Sequence, residues 1–353
     1  MTKEPLFGKT LDELKAVTGN LGLPSYSADQ IAGWLYKKKA SSVDEMTNLS
    51  KDARELLNEK YNVGITGFSK VMESSDGTKK YLFPTLQKKF IEAAYIPESK
   101  RKTLCLSTQV GCKMACIFCM TGKQGFQGNL TAGEIINQLR SLPEQSQVTN
   151  LVYMGMGEPF DNPEEVMKSL EILTADYGFR MSHRRITVST IGIIPAMREF
   201  LNKSNCHLAI SLHSPFEHER RHLMPVQKVY PLTSIIEQIK YVDTGRQRKI
   251  SFEYIMFKGM NDTPLHVREL SKLLNGLRCR VNLIRFHPVP GVPLESSDKI
   301  TMQQFMEALN KKGILTTIRQ SRGEDIYAAC GMLSTKKPFP QMPCGKGTIY
   351  KPL

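Results

Sequence analysis

The sequence predicts an α/β protein: a partial, TIM-like (β/α)6 barrel carrying a small N-terminal helical domain and a short β-hairpin connector. Three observations lead there. Six strand-like segments alternate with six helix-like ones between residues 104 and 312, and such alternation implies a parallel sheet with crossover helices. The sulfur-bearing and unusual polar residues follow the ends of those strands, as a barrel arranges its chemistry; an open sheet gathers it at one switch point. The chain has 353 residues, 41% of them hydrophobic, which suits about two domains of roughly 150 residues each.

Residues 1–62 read as the helical domain. Thr10-Leu11-Asp12-Glu13 and Ser27-Ala28-Asp29-Gln30 have the capping-box spacing that opens a helix, and Gly22-Leu23-Pro24 breaks the chain between them. A third helix is expected over 51–61, with Ala53, Leu56 and Leu57 on one face. Lys37, Lys38 and Lys39, after Trp34 and Tyr36, read as a solvated helix end, the sharper alternative being phosphate contact. Over 63–98 the pattern shortens to strands, and Asp76-Gly77 marks a hairpin turn between 71–73 and 78–83.

The barrel is expected over 99–334. Its strands fall at 104–107, 151–154, 186–189, 208–211, 252–256 and 281–284. Its helices fall at 132–142, 163–174, 194–201, 232–241, 264–274 and 302–312, the first capped by Thr131-Ala132-Gly133-Glu134. A seventh short strand, 315–318, leads to Gly323. Residues 335–353 hold Pro338, Pro340, Pro343 and Pro352 and read as an extended tail.

Lys and Arg number 48 against 34 Asp and Glu, a net charge of +14. That excess favours a polyanionic partner, nucleic acid first. No apolar run approaches the ~18 residues of a membrane helix, and the opening MTKEPLFGKT has no apolar signal core. A cytoplasmic protein without membrane contact is expected. Four of the eight cysteines, Cys105, Cys112, Cys116 and Cys119, crowd between positions 105 and 119. Where thiols stay reduced, such crowding points to a metal or redox site.

Cys112, Cys116 and Cys119 form C-x3-C-x2-C. Three thiolates on one loop can hold three corners of a 4Fe–4S cube and leave one iron open for catalysis. Structural zinc needs a fourth Cys or His at a regular offset, and His183 and His207 are far along the chain. A zinc-stabilised nucleic-acid-binding module without catalysis is the alternative from a different class, and colour and iron content separate the two. Cys206, Cys279 and Cys344 read as small buried hydrophobes.

The cysteine spacing after the first barrel strand, with Gly155-Met156-Gly157-Glu158-Pro159 after the second, resembles the radical S-adenosylmethionine (SAM) superfamily. Further segments narrow the resemblance. They are Cys105-Leu106-Ser107-Thr108-Gln109-Val110-Gly111-Cys112, Gln124-Gly125-Phe126, Asn129-Leu130, Ser189-Thr190 and Ser211-Leu212-His213. Arg322-Gly323-Glu324-Asp325 leading to Ala328-Ala329-Cys330-Gly331 completes the set. Over about residues 6–334 the chain is similar to the RlmN/Cfr family of RNA adenine methyltransferases.

That resemblance implies roles. Cys112, Cys116 and Cys119 would ligate one 4Fe–4S cluster per chain. Gly157, Glu158, Ser189, Ser211, Leu212 and His213 would line the SAM site, and His287, where the family often has Asn, would contact SAM. Cys330 would accept a methyl group, Cys105 would be its partner thiol, and Glu92 would be the base. Without the resemblance, Glu92 between Ile91 and Ala93 reads as a solvated strand glutamate.

The implied reaction suits carbon 2 of adenine, which lies between two ring nitrogens and is too electron-poor to attack a methyl donor. One SAM would methylate Cys330, and a second would yield the radical that activates that methyl for addition to the ring. Cys105 would then release the methylated RNA and leave a disulfide. The implied substrates are 23S rRNA and some tRNAs, with a flavodoxin or ferredoxin system as electron donor and a monomeric enzyme. Within the family, Cfr-type methylation of carbon 8 is the alternative: Pro159 and Val110 favour carbon 2, whereas Ile191 and Leu223-Met224-Pro225 lean the other way. A radical enzyme acting on a peptide or metabolite is a third reading. Arg184, Arg185, Arg220, Arg221, Arg246 and Arg248 read as a solvated charged face, or as phosphate contacts if RNA lies over the barrel mouth. Met154, Met156 and Met224 read as packing.

Overall fold

The computed structural model describes residues 3–241 and 249–335. The proline-bearing tail, Cys344, Arg246 and Arg248 lie outside the described residues.

At the N-terminus, β1 (Glu4–Pro5) and β2 (Tyr61–Asn62) pair in parallel and bracket the helices α1 (Leu11–Asn20), α2 (Ser27–Ala32) and α3 (Lys51–Lys60). Thr10 caps α1 through the full capping box. Ser27 does not cap α2. Tyr26 takes that position without a side-chain bond, because a turn from Ser27 N to Pro24 O at 3.0 Å has already started the coil. On α3 the buried pair is Ala53 and Leu57, while Leu56 is 38% exposed; the i, i+4 stripe excludes it. α2 runs on as a π-helix over Gly33–Lys38. There Lys38 Nζ sits 3.9 Å over the Trp34 ring, a cation–π contact that agrees with a packed, solvated helix end.

The main sheet has ten strands. β3 (Lys70–Glu73), β4 (Lys79–Pro84) and β5 (Phe90–Pro97) are antiparallel, and β5 pairs antiparallel with β6 (Lys102–Cys105). The connector strands therefore extend the barrel sheet. β7 (Gln109–Val110) and β8 (Gly128–Asn129) form a small ladder flanking the cysteine loop and α4 (Met120–Gln124). From β6 the sheet continues in parallel through β9 (Asn150–Tyr153), β10 (Ile186–Thr190), β11 (His207–Ser211), β12 (Ile250–Met256), β13 (Cys279–Arg285) and β14 (Leu315–Ile318). β14 and β3 are its two edges, so the barrel stays partial.

The crossover helices are α5 (Ala132–Arg140), α6 (Pro163–Thr174), α7 (Ile194–Lys203), α9 (Leu232–Lys240), α10 (Pro264–Leu273) and α11 (Lys299–Lys311); α8 (Glu217–Leu223) is an extra short helix after β11. Alternation along the strands decides where the core sits. Leu151, Tyr153, Ile186, Val188, Leu208 and Ile210 face outward into the helices and form the main core. Their neighbours face a lumen lined by Thr103, Asn150, Thr187, Ser251 and Asn282. A closed barrel fills this space with branched apolar side chains; this one keeps it polar.

Candidate active site

The loop between β7 and α4 brings three thiols together. Cys112 and Cys116 are buried, and Cys119, half-buried, is the N-cap of α4. Ala115 holds φ 53, which turns the loop back on itself. All three cysteines line one cavity of about 150 Å3, whose facing wall comes from beyond β9 and from the ends of β10 and β11: Gly157, Glu158, Ser189, Ser211 and His213. Leu212 stands behind that wall, fully buried, its N donating to Glu253 O at 3.0 Å.

Two glycines there are required by close approach. A Cβ on Gly155 would lie 2.6 Å from Leu106 O, and one on Gly157, at φ 100, would lie 2.6 Å from Gln109 Cβ. Gln109 Oε1 in turn accepts a hydrogen bond from Glu158 N at 2.9 Å. The Glu158 carboxylate accepts from Thr190 Oγ1 at 2.6 Å and from Ile191 N and Phe160 N, each at 3.0 Å. Burial nonetheless pushes its pKa up to about 7. Its orientation is set and lone pairs remain, so it can receive a cationic donor.

His213 has φ 58, its Nδ1 accepts from Ile255 N at 3.0 Å, and its carbonyl accepts from Asn261 Nδ2 at 2.6 Å. Burial lowers its pKa to about 3, so the ring is neutral and carries its proton on Nε2.

Burial raises Cys112 to about 12 and Cys116 well above its usual value; coordination to iron would displace those protons. Among the described residues, no three His, Cys, Asp or Glu groups converge on a single metal ion. Structural zinc needs four donors ~2.0–2.3 Å from one centre, whereas a cube takes each thiolate on a separate iron. Three thiols from one loop fit the three protein-held corners of a cube.

A larger cavity of about 540 Å3 occupies the lumen, and both Cys105 and Cys330 line it. Cys330 lines the smaller cavity as well, so it stands at the partition, together with Met154, Glu253, Ile284, Arg319 and Leu333. Its segment is pinned beside the cysteine loop: Met120 N donates to Gly331 O at 2.8 Å, and Thr121 Oγ1 to Leu333 O at 2.7 Å. Burial, and then the nearby Cys330, push the Cys105 thiol up to about 12. Desolvation also raises the Cys330 thiol, against the pull of the Arg319 guanidinium.

Other expected site residues are placed differently. Glu92 is not a solvated edge residue, because β5 lies inside the sheet; it is 2% exposed, and it lines neither cavity. Its Oε1 is 3.0 Å from Lys80 Nζ, and its Oε2 accepts from Ser334 N at 3.0 Å. His287 lines the larger cavity and not the one beside the cysteines; its Nε2 is 3.2 Å from Ser321 Oγ and its Nδ1 3.8 Å from Glu324. Arg220 is no part of a solvated face: it is fully buried, its Nη2 donating to Ile191 O at 2.7 Å and Ser211 O at 3.1 Å. Met156 and Met224 are core residues, and Met154 is on the partition. Cys206 is buried and Cys279 half-buried. Glu253 and Arg319 were not singled out in the sequence. The available signal was a carboxylate alternating with apolar residues in Ser251-Phe252-Glu253-Tyr254.

The model of the radical SAM superfamily matches residues 106–270, and that of the ribosomal RNA large subunit methyltransferase N-terminal domain matches residues 5–63. A probable dual-specificity RNA methyltransferase RlmN of Bacteroides thetaiotaomicron is 56% identical over 337 residues, 96% of this chain and 98% of that protein. The dual-specificity RNA methyltransferase RlmN of Syntrophus aciditrophicus is 43% identical over 93% of this chain and 95% of its own. Among solved structures, a radical SAM methyltransferase from Sphaerobacter thermophilus is similar at TM-score 0.86 and 38% identity, covering 94% of this chain and 99% of that one.

Proposed function

This chain belongs to the dual-specificity RNA methyltransferase family of the radical SAM superfamily, and from that premise we propose that it methylates carbon 2 of adenosine in 23S rRNA and in some tRNAs through a methyl group carried on Cys330. The enzyme is a methyltransferase that uses a 4Fe–4S cluster and SAM. One observation carries the assignment of the carrier: among the described residues, Cys330 is the cysteine that lines both cavities.

In this reading Cys112, Cys116 and Cys119 hold the cluster, and Gly157, Glu158, Ser189, Ser211, Leu212 and His213 hold SAM. When bound, the pair supplies a transferable methyl group and one-electron cleavage of a sulfonium. The chain does the rest. Glu158 receives a cationic amine with its hydrogen bonds already made. Cys330 presents its Sγ to the SAM side to take up the methyl and to the lumen to deliver it. Cys105, on the lumen wall, attacks Cys330 Sγ and gives up its thiol proton; the S–S bond forms, the S–C bond breaks, and its electron pair leaves with the carbon, which takes up that proton. Glu92 is the base in this scheme, and it would have to leave Lys80 to reach the ring proton. His287, on the lumen side, is better placed for the RNA base than for SAM.

A flavodoxin or ferredoxin system would reduce the cluster, and a monomer in the cytoplasm would suffice, since every named group comes from one chain. Among the described residues no helix is long and apolar enough to cross a membrane. Residues 1–62 would form an accessory domain, 63–98 a connector and 99–334 the catalytic core. The test combines three measurements. Anaerobically purified protein should be brown with about four irons per chain. A Cys330 peptide should carry one added methyl, and RNA exposed to the enzyme should contain 2-methyladenosine. An 8-methyl product would transfer the assignment to the carbon-8 reaction, and an unmodified Cys330 would overturn the carrier.

A further inference from the structure

We infer that the RNA reaches Cys330 through the barrel lumen from the N-terminal ends of the strands, with its phosphates held there by Arg101, Arg184, Lys249 and Arg280. The inference rests on the RNA methyltransferase reading and concerns only the route.

The larger cavity runs the length of the barrel. Its upper end carries Cys330 and Arg319. Its lower end carries residues that start strands: Asn150 opens β9, His207 opens β11, Lys249 precedes β12, and Arg101 precedes β6. Arg280 and Ile284 both line it on β13, four residues apart, a span of ~13 Å at 3.3 Å per residue. That depth can hold a nucleotide whose base points up and whose phosphates remain at the mouth. The walls between offer hydrogen-bonding groups on Thr103, Thr187, Ser251 and Asn282.

Charge points the same way. Six Lys and Arg line this cavity against two carboxylates, Glu98 and Glu253. Among the described residues no acid forms an ion pair with Arg101, Arg184, Lys249 or Arg280, whereas Lys79, Lys113 and Lys168 all have acidic partners. Arg101 is oriented by Thr103 Oγ1 at 3.0 Å, and burial followed by Arg319 lowers its pKa, with Arg280 adding to that and Glu98 opposing it. Cations that outnumber their counter-charges six to two repel one another, and a polyanion relieves that. At the opposite end Phe118, Leu223, Met224, Phe257, Phe286 and Val289 pack into an apolar cluster, which offers phosphates no counter-charge.

The test uses anaerobic holoenzyme and a fluorescein-labelled RNA hairpin with an unpaired loop adenosine, read by anisotropy at several salt concentrations. Arg184→Glu with Arg280→Glu should weaken binding at least tenfold. Arg184→Gln with Arg280→Gln should weaken it roughly threefold to tenfold and reduce the slope of log affinity against log salt by about 1 to 2; this pair decides if the Glu pair does not fold. Lys258→Glu with Lys299→Glu, both exposed, the first just beyond the C-terminal end of β12 and the second at the start of α11, should stay within twofold of wild type. The route is overturned if the Lys258/Lys299 pair loses binding while the lumen pair does not, or if all variants bind alike. Peptide mass of wild-type Cys330 is read in parallel: absence of its methyl sinks the transferase reading whichever way the binding data fall.

Discussion

Glu92 and Lys80 meet at 3.0 Å on neighbouring antiparallel strands, with 3% and 5% of their side chains exposed. A buried ion pair contributes little against a well-packed apolar pair, but removing one partner strands the other charge at a cost of about 3–5 kcal/mol. Burial raises the Glu92 carboxyl above its usual value, and Lys80 opposes that rise. Glu92→Met and Lys80→Met should each destabilise by about that amount, and the double variant should recover most of it, measured as a double-mutant cycle by urea unfolding. Purely additive losses would show that the two groups do not act as a pair. Because Ser334 N also binds Glu92, the single variants should loosen the segment that carries Cys330.

The buried guanidinium of Arg220 fastens two barrel loops. Its Nη2 bonds to Ile191 O and Ser211 O, and its Nη1 to Gln227 Oε1, so the chain beyond β10 is tied to the end of β11 beside the cysteine cavity. Arg220→Leu would take this donor from Ile191 O and Ser211 O in a dry site, at about 1–3 kcal/mol each before relaxation, while Gln227 Oε1 would keep Leu232 N. The expected result is a loss of about 3–5 kcal/mol in urea unfolding at unchanged slope, with weaker SAM binding by calorimetry. Arg220→Lys should fall between the two, since one ammonium cannot span the same acceptors. Wild-type stability in Arg220→Leu would show that the bonds contribute nothing.

The legibility of the chain follows the same physics. Strands β9 to β13 are readable because their outward side chains must be apolar to meet the helices, and the six crossover helices because their apolar positions repeat at the helical period; the short α8 leaves no such stripe. The membership of β5 in the barrel sheet was not readable, since an antiparallel partner leaves no mark on a strand's own sequence. Ser27 misled because a turn upstream had already satisfied the helix start. Arg220 misled because a doublet of arginines looks solvated until three acceptors converge on one of them. The cysteine loop and Gly157-Glu158 were legible from local spacing. The partition was not: Glu253 and Arg319 matter through the two cavities they border, and that is a property of closure, not of any segment.

Acid should weaken the joint between the connector and the barrel. Glu144, after α5, accepts from Tyr81 Oη at 2.7 Å and from Lys79 Nζ at 2.8 Å. Burial alone would raise its pKa, but those two bonds outweigh it and the net direction is down from 4.5. A carboxyl depressed by folding stabilises fully above its unfolded pKa and loses that contribution as pH falls through the folded value. Glu144→Gln should therefore cost about 1–2 kcal/mol at neutral pH, with the gap to wild type closing below about pH 4.5. A gap independent of pH between 3 and 7 would remove the carboxylate from the explanation.

The two lumen thiols divide the work in a way that substitution can expose. Cys330 lines both cavities, whereas Cys105 lines only the lumen, so only Cys330 can be reached from the SAM side. Cys105→Ser should leave Cys330 methylated in the purified protein and block release, because a hydroxyl does not displace carbon from sulfur. RNA should then accumulate covalently on the protein, seen as a slow-migrating band that ribonuclease removes. Cys330→Ala should carry no methyl, form no such band and lose turnover by about a thousandfold or more, as expected when the group-carrying nucleophile is removed. If Cys105→Ser turned over freely and left no adduct, Cys105 would be a packing residue, and release would have to proceed through another group on the lumen wall.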